Sequence, residues 1–259
     1  MPLIAGPDGP IECLVNGSGL PVTVFAHGLA SSIDETRPFG SGVSGTRVFF
    51  HFRGHGASGG SEAPWTYAAA AAELDAVRTA YDAHQALGVS LGAGALLRSA
   101  VDTPDAFRRL VVVLPASVDQ PRTDPAIDRM QARAALIEHR DLRSLAESLV
   151  AEQPVGVRDR SDVRLWARRQ ARRLSATTVA RALRELPPQY PLKSRAELAV
   201  VRCPVLVIGQ EGDGAHPASV ARDLAAALPD ADLEIYDDGG VLWSHRAAVR
   251  RRISAFLNA

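Results

Sequence analysis

The stretch HQALGVSLGAG, residues 84–94, joins a short apolar run to a segment rich in small residues. The first part predicts a buried strand and the second part a helix. Ser90 lies between them in the pattern Gly-x-Ser-x-Gly, flanked by Gly88 and Gly92. A strand that turns sharply into a helix strains the serine backbone, lifts its hydroxyl above the sheet and leaves the first helix amides free. The pattern therefore predicts that Ser90 is a nucleophile and that the Leu91 N–H stabilises an oxyanion.

A second stretch supports this interpretation over the alternative of an ordinary serine in a glycine-rich turn. The apolar run Val22–Ala26 predicts a buried strand that ends at His27-Gly28-Leu29. This strand should lie near the strand that leads to Ser90, so the Leu29 N–H can supply the second oxyanion donor. We expect His27 to be structural and to hydrogen-bond within its loop, which holds that donor in place.

Farther from the serine, apolar runs alternate with helical patterns. This alternation indicates an α/β protein with a mostly parallel sheet and helices on both faces. The remaining predicted strands are Arg47–Phe52, Leu110–Leu114, Val205–Gly209 and Leu233–Tyr236. The clearest helical patterns outside the serine stretch are 66–81 and 245–257.

Residues 117–199 carry helical patterns only and interrupt the run of predicted strands. A long helical insertion between two core strands predicts a cap over the ligand edge of the sheet. We therefore divide the chain into an α/β core, residues 1–116 and 200–259, and a helical cap, residues 117–199. The cap holds 15 arginines and one lysine against 11 acidic residues, a net charge of +5, whereas the core holds 13 basic and 18 acidic residues, a net charge of −5.

Five of the cap arginines lie on one predicted helix, at positions 164, 168, 169, 172 and 173. One interpretation is a solvated helix face that pairs with the acidic core. The other is a docking surface for an anionic group, such as a carboxylate, a phosphate or a carrier-protein helix. The sequence leaves both open.

Three motifs together resemble the α/β-hydrolase superfamily, most closely its esterase, haloperoxidase and C–C hydrolase branch. They are His27-Gly28, the run Arg53-Gly54-His55-Gly56-Ala57-Ser58-Gly59, and Gly88-x-Ser90-x-Gly92. The resemblance covers the chain apart from the cap. It implies a mostly parallel eight-stranded sheet, a structural role for His55, and catalytic residues in the order serine, acid, histidine.

The same resemblance implies where the catalytic acid lies. The family places it in the loop after the strand that corresponds to Val205–Gly209, and Asp213 matches that position. Glu211 is two residues away and is the weaker candidate. Some members carry the acid after the preceding strand instead, where Asp119 stands here. Asp213 would hold the histidine in the correct tautomer and stabilise its cation.

The catalytic histidine is where this chain departs from the family pattern. The family usually has its histidine directly after a Gly-Gly turn past the last strand, but here Gly239-Gly240 is followed by Val241. His245 is the nearest histidine downstream, and it follows both the serine and the acid. We therefore predict that His245 completes the triad with Ser90 and Asp213.

Two other histidines compete with His245. His216 lies three residues after Asp213, and it would have to fold back on its own loop to bridge the acid and the serine. Pro217 restricts His216 further. His55 precedes the serine in the chain, against the family order.

Composition excludes several other classes of function. The net charge is zero, so no overall field attracts nucleic acid or an anionic membrane. Cys13 and Cys203 are far apart, and the histidines form no metal-ligand pattern, so we expect neither a disulfide framework nor a metal site. We also expect no cofactor, no signal peptide and no membrane span, hence a cytoplasmic protein. The sequence leaves the oligomeric state open.

These patterns predict a serine hydrolase that cleaves a small-molecule acyl substrate, a carboxylic ester, thioester or lactone, through an acyl-enzyme. Acyl transfer or C–C bond hydrolysis on the same residues is the alternative within the enzyme class. A ligand-binding member of the fold that has lost turnover is the alternative outside it. Val241, at the usual histidine position, is the residue that favours this last alternative.

Overall fold

The computed structural model describes residues 1–60 and 63–259 of the chain. Its sheet has eight strands in the order β1-β2-β4-β3-β5-β6-β7-β8. The strands are β1 Leu3–Gly6, β2 Gly9–Asn16, β3 Val22–Ala26, β4 Thr46–Phe50, β5 Gln85–Val89, β6 Arg109–Val113, β7 Val205–Gln210 and β8 Ala231–Tyr236. From β4 to β8 all neighbours are parallel, whereas β2 runs antiparallel to both β1 and β4.

The helices cover both faces of this sheet, as the sequence predicts. They are α1 Ile33–Thr36, α2 Tyr67–Ala80, α3 Leu91–Asp102, α4 Asp124–Glu138, α5 Leu142–Ala151, α6 Ser161–Leu174, α7 Ala180–Glu185, α8 Ala218–Ala227 and α9 Arg246–Leu257. Short 3₁₀ turns lie at Arg37–Gly40, Val155–Val157 and Arg195–Val200, and a π-helical turn lies at Gly240–Ser244.

Two hydrophobic clusters sandwich the sheet. Leu74 of α2, Leu96 of α3 and Leu224 of α8 belong to the cluster on one face. Phe39, in the 3₁₀ turn after α1, and Ile253, in α9, belong to the cluster on the other face. Because strands buried on both faces must be apolar throughout, β5, β6 and β7 are the continuous apolar runs that the sequence shows.

The parallel register determines where the functional loops meet. Strand β3 pairs directly with β5, with Ala26 opposite Gly88, and β6 and β7 follow on the other side of β5. The carboxyl ends of these strands therefore lie side by side. The loops after β3, β5 and β7 open at that one edge, where ligands bind in open α/β sheets.

The structure confirms the predicted fold class, including the eight strands that the resemblance implies. Each predicted strand is present with ends that differ by one or two residues, and Thr66 caps α2 by accepting the Ala69 N–H at 3.0 Å. Strands β1 and β2 at the antiparallel edge were not predicted individually. The stretch between β6 and β7 contains helices α4 to α7 and no strand among the described residues.

The arginines of α6 are distributed between several environments. Arg173 reaches the core, where it pairs with Asp34 at 3.0 Å, and Arg164 pairs with Asp159 at 2.7 Å next to its own helix. Arg168 and Arg172 line a groove of about 800 Å³ between α5 and α6. Pairing with the core therefore accounts for only part of this basic face.

None of the helices in residues 1–60 and 63–259 is both long enough and apolar enough to cross a lipid bilayer.

Candidate active site

Ser90 lies at the sharp turn from β5 into α3. Its backbone adopts φ 51° and ψ −103°, a conformation that is costly for a residue with a side chain. Crowding explains the flanking glycines. A Cβ at position 88 would lie 2.2 Å from the Gly92 carbonyl oxygen, and one at position 92 would lie 2.4 Å from that of Ala26. The predicted strand-to-helix turn is present, with Ser90 at its apex.

The loop after β7 folds around the carboxylate of Asp213. One oxygen, Oδ1, accepts the backbone N–H groups of Ala215 at 2.8 Å and His216 at 3.0 Å. The guanidinium of Arg122 donates to the Ala215 carbonyl at 2.9 Å and fixes the loop from outside. These bonds place the His216 ring beside the acid on its own loop.

A chain of two hydrogen bonds then joins the loop to the serine. His216 Nδ1 donates to Asp213 Oδ2 at 2.9 Å, and His216 Nε2 accepts the Ser90 hydroxyl at 2.9 Å. Burial raises the pKa of Asp213, but the charge of His216 and the three hydrogen bonds outweigh it and lower that pKa to about 2. Asp213 is therefore an anion that faces the histidine at any ordinary pH.

The prediction that His245 lies between Ser90 and Asp213 is wrong. His245 ends the π-helical turn, its Nε2 hydrogen-bonds the carboxylate of Asp237, and its ring packs against Tyr236 at 5.3 Å between centroids. Residues 239–244 form a compact turn instead of an extended segment that could carry the ring back to the serine.

Val241 lies next to the histidine that takes this place. It is buried, its N–H donates to Gln210 Oε1 at 2.7 Å, and it lines a cavity of about 120 Å³ together with Asp213 and His216. The position where the family usually has its histidine thus lies close to His216. The ring comes from the loop after β7 here, not from the segment after β8.

The sequence offered His216 as a candidate, but the argument against it was wrong. The predicted obstacle was that His216 would need to fold back on its own loop, and the two amide bonds to Asp213 Oδ1 make that fold. The sequence feature that could have identified His216 is its position three residues after an acid, in a loop rich in glycine. The other acids lie elsewhere, since Glu211 pairs with Arg222 and Asp119 pairs with Arg195 at 2.9 Å.

The loop after β3 packs against the serine. A Cβ at Gly28 would lie 3.5 Å from that of Ser90. Among the described residues, neither the Leu29 N–H nor the Leu91 N–H enters a hydrogen bond. Both predicted donors therefore stand free beside the Ser90 turn.

Two buried histidines hold this loop. His27 Nδ1 donates to the Gly28 carbonyl at 2.7 Å, and its Nε2 accepts the Phe52 N–H at 3.1 Å. His55 Nε2 accepts the Ala30 N–H at 3.1 Å. Since each Nε2 is an acceptor, each ring is neutral, and burial lowers the pKa of His27 far below its ordinary value and that of His55 to about 4. The structural roles predicted for these two histidines fit this arrangement.

The serine opens onto a cavity of about 160 Å³. Helices α4 to α7 each contribute to its wall, through Met130, Leu149, Trp166 and Leu183 respectively. Glu35 is the acid on the wall formed by α1, where its carboxylate accepts the Trp166 indole N–H at 2.9 Å and the Ser31 hydroxyl. A mainly apolar wall with a few polar groups is typical of small-molecule sites.

No group of three or more histidine, cysteine, aspartate or glutamate side chains that could hold a metal ion occurs in the described part of the chain.

Comparison with known proteins shows the family of this chain. The model of the alpha/beta hydrolase family matches residues 23–252. The structure is similar to the alpha/beta hydrolase enzyme MGS-M2 from a Medee basin deep-sea metagenome library, at 15% identity and a TM-score of 0.85, over 100% of this chain and 98% of that one. It is also similar to the enol-lactonase from Burkholderia xenovorans LB400, at 18% identity and a TM-score of 0.84, over the full length of both chains.

A thermophilic esterase from Thermogutta terrifontis is a third similar structure, at 18% identity and a TM-score of 0.78, over 96% of this chain and 93% of that one. No curated protein matches the chain. Identities this low indicate a shared fold, whereas the family model matches the sequence itself over most of its length. The chain belongs to the alpha/beta hydrolase family.

Proposed function

We propose that this chain is a serine hydrolase that cleaves a carboxylic ester, thioester or lactone of a small molecule through an acyl-enzyme. Ser90 is the nucleophile, His216 the general base and acid, and Asp213 the residue that orients His216. The observation that carries the proposal is the unbroken hydrogen-bond chain from Asp213 Oδ2 through both ring nitrogens of His216 to the Ser90 hydroxyl, with 2.9 Å at each step.

The proposed reaction follows from the orientation of the ring. With its proton on Nδ1, neutral His216 presents an Nε2 lone pair that accepts the hydroxyl proton as Ser90 attacks the carbonyl carbon. The imidazolium that forms faces the Asp213 anion and returns its proton to the leaving group. Water then attacks the acyl-enzyme in the same way and releases the acid.

The developing oxyanion requires donors on the opposite side of the carbonyl. We assign this role to the Leu29 and Leu91 amides, because both border the serine and neither is used in a hydrogen bond within the described chain. Loss of a single oxyanion donor costs on the order of 10²–10³-fold in kcat in such sites. Helices α4 to α7 act as the cap that excludes water and selects the acyl group.

The small cavity favours hydrolysis of compact substrates. At about 160 Å³ it holds a short acyl chain or a small lactone. The alternative of a binding protein that has lost turnover depends on Val241, which stands where the family usually has its histidine. Because His216 supplies a base from another loop, Val241 no longer favours that alternative.

Labelling with a fluorophosphonate tests the nucleophile. An activated serine reacts with this probe, whereas an ordinary hydroxyl does not. We expect one label per chain, located at Ser90 by peptide mass spectrometry and absent in Ser90→Ala. Ser31→Ala provides a matched control, since Ser31 lines the same cavity and should leave labelling intact. Labelling that persists in Ser90→Ala contradicts the proposal.

A further inference from the structure

A second recess, whose lining does not include Ser90, concentrates positive charge. It has a volume of about 450 Å³ and is lined by Arg37, Arg47, Arg246 and Arg250, and among the described residues Asp34 is the only acidic side chain in its wall. The volume falls within the range of small-molecule sites. None of its lining residues lines the Ser90 cavity.

In the described part of the chain these four arginines lack carboxylate partners, in contrast to core arginines such as Arg53 and Arg98. No ion pair of the described chain includes any of them. Arg47 instead donates to the Gly40 carbonyl at 3.3 Å, and Arg250 donates to the Ser41 hydroxyl. Asp34 does not neutralise the recess, because its carboxylate already pairs with Arg173 at 3.0 Å.

Two of the guanidinium groups are also incompletely satisfied. The Nε atoms of Arg47 and Arg250 are buried and have no hydrogen-bond partner among the described residues. A buried donor without a partner destabilises the folded protein. Arg246 and Arg250 add to the cost, because like charges four residues apart on a helix repel each other.

A bound anion would remove both costs. The arginines belong to three separate elements, the turn after α1, strand β4 and helix α9, and so approach the recess from different sides. A planar carboxylate accepts well in its own plane, whereas a tetrahedral phosphate presents oxygens in several directions. Guanidinium groups bind phosphate with strong, charge-assisted hydrogen bonds.

From this arrangement we infer that the recess is a binding site for a phosphate or diphosphate group of a small molecule. The site is separate from the proposed hydrolase centre and does not depend on its activity. Binding should therefore be unchanged in Ser90→Ala.

Calorimetric titration with sodium pyrophosphate at constant ionic strength tests the inference. We expect saturable binding to one site in the wild-type protein and at least tenfold weaker binding in the double variant Arg37→Gln/Arg246→Gln. Both side chains are exposed, so the variant should fold. Urea unfolding of the variant and of the wild type checks this. The matched control is Arg168→Gln/Arg172→Gln, which removes two arginines from the groove on α6 and should bind as the wild type does.

Three results would overturn the inference. If the wild-type protein shows no saturable binding of pyrophosphate, the recess is not a phosphate site. Equal weakening in the control variant would indicate nonspecific charge attraction. Citrate that binds as tightly as pyrophosphate would show that the recess does not select phosphate.

Discussion

At the scale of single residues, the two oxygens of Asp213 have different tasks. Oδ1 accepts the amides of Ala215 and His216 and gives the loop its shape. Oδ2 faces His216 Nδ1 and determines which ring nitrogen carries the proton. The same carboxylate therefore builds the loop and orients the His216 ring, which explains how acid and histidine can lie only three residues apart.

Asp213→Asn separates these tasks. An asparagine oxygen can still accept the two amides, but its NH₂ group then faces His216 Nδ1. That nitrogen must become the acceptor, so Nε2 carries the proton and can no longer take one from Ser90. We expect kcat on a cleaved ester to fall by about 10³–10⁴-fold. A variant with near wild-type kcat would exclude Asp213 as the orienting residue.

Crowding at the Ser90 turn gives a second prediction at this scale. A methyl group at Gly88 would meet the Gly92 carbonyl oxygen at 2.2 Å, so Gly88→Ala must displace the backbone of the turn. We expect the free energy of unfolding to drop by about 1–3 kcal/mol and hydrolysis to be lost.

Gly156→Ala is the control for this substitution, since nothing lies within 4 Å of the Cβ it would add. Urea unfolding of both variants measures the difference. Equal stability of the two variants would mean that the turn is not as tightly packed as the structure indicates.

The strand-to-helix turn at Ser90 could be predicted from the sequence and the position of His216 could not, because the two depend on different ranges of interaction. The glycine spacing around Ser90 is a local consequence of close backbone contacts. The position of His216 depends on a loop that closes around its own acid, and on strands β5 and β7, which lie more than a hundred residues apart and flank β6. The family order of residues favoured His245 instead.

At the scale of elements, helix α6 is tied to the loop that carries the proposed oxyanion donor. Gln170 of α6 donates to the Ala30 carbonyl at 2.7 Å, and Trp166 one turn earlier donates to Glu35. Ala30 has φ 57°, an unfavourable conformation for a residue with a side chain, and needs such support. Helix α6 therefore stabilises the loop as well as lines the cavity.

Removal of the α6 contact should destabilise the protein. Gln170→Ala leaves the buried Ala30 carbonyl without this donor, and we expect the free energy of unfolding to fall by about 1–3 kcal/mol. Arg169→Ala, an exposed neighbour on the same helix, should change stability by less than about 0.5 kcal/mol. Thermal unfolding of the two variants side by side checks this, and equal shifts would exclude a supporting role for Gln170.

Elements were predictable where they are buried and regular. The interior strands are continuous apolar runs, so their positions follow from the sequence. Strands β1 and β2 are an edge hairpin joined by a tight turn at Pro7-Asp8. Strand β1 has only four residues, and Gly9, Pro10 and Glu12 interrupt the apolar pattern of β2. Pairing with β4, not local pattern, makes β2 a strand.

At the scale of the whole molecule, a set of neutral histidines lies under the proposed active site. The ring of His27 lies 5.5 Å from that of His51 and 4.7 Å from that of His55, measured between centroids. His51 Nδ1 donates to Glu12 at 2.8 Å, and its Nε2 accepts the Ile33 N–H at 3.2 Å. Protonation of any ring would break a hydrogen bond to the backbone.

This cluster makes stability depend on pH. Burial lowers the pKa of His27, of His51 and of His55, the last to about 4, so below about pH 6.5 the unfolded chain binds protons that the folded chain does not. Burial acts in the opposite direction on Glu73, whose pKa rises to about 7, and on Glu35, but three histidines outnumber two carboxyl groups. We expect the free energy of unfolding to decrease from pH 6.5 to pH 4.5.

Urea unfolding at several pH values in this range measures that slope. A free energy that stays constant or increases on acidification would show that the three histidines do not outweigh Glu73 and Glu35.

The central claim, that His216 and not His245 is the base, is tested by hydrolysis of short-chain p-nitrophenyl esters with His216→Ala and His245→Ala in parallel. His216→Ala should lose at least about 10³-fold in kcat, nearly as much as Ser90→Ala, because residues of one triad act as a unit. His245→Ala removes a contact with the exposed Asp237 and should keep near wild-type turnover. An active His216→Ala beside an inactive His245→Ala would contradict the account.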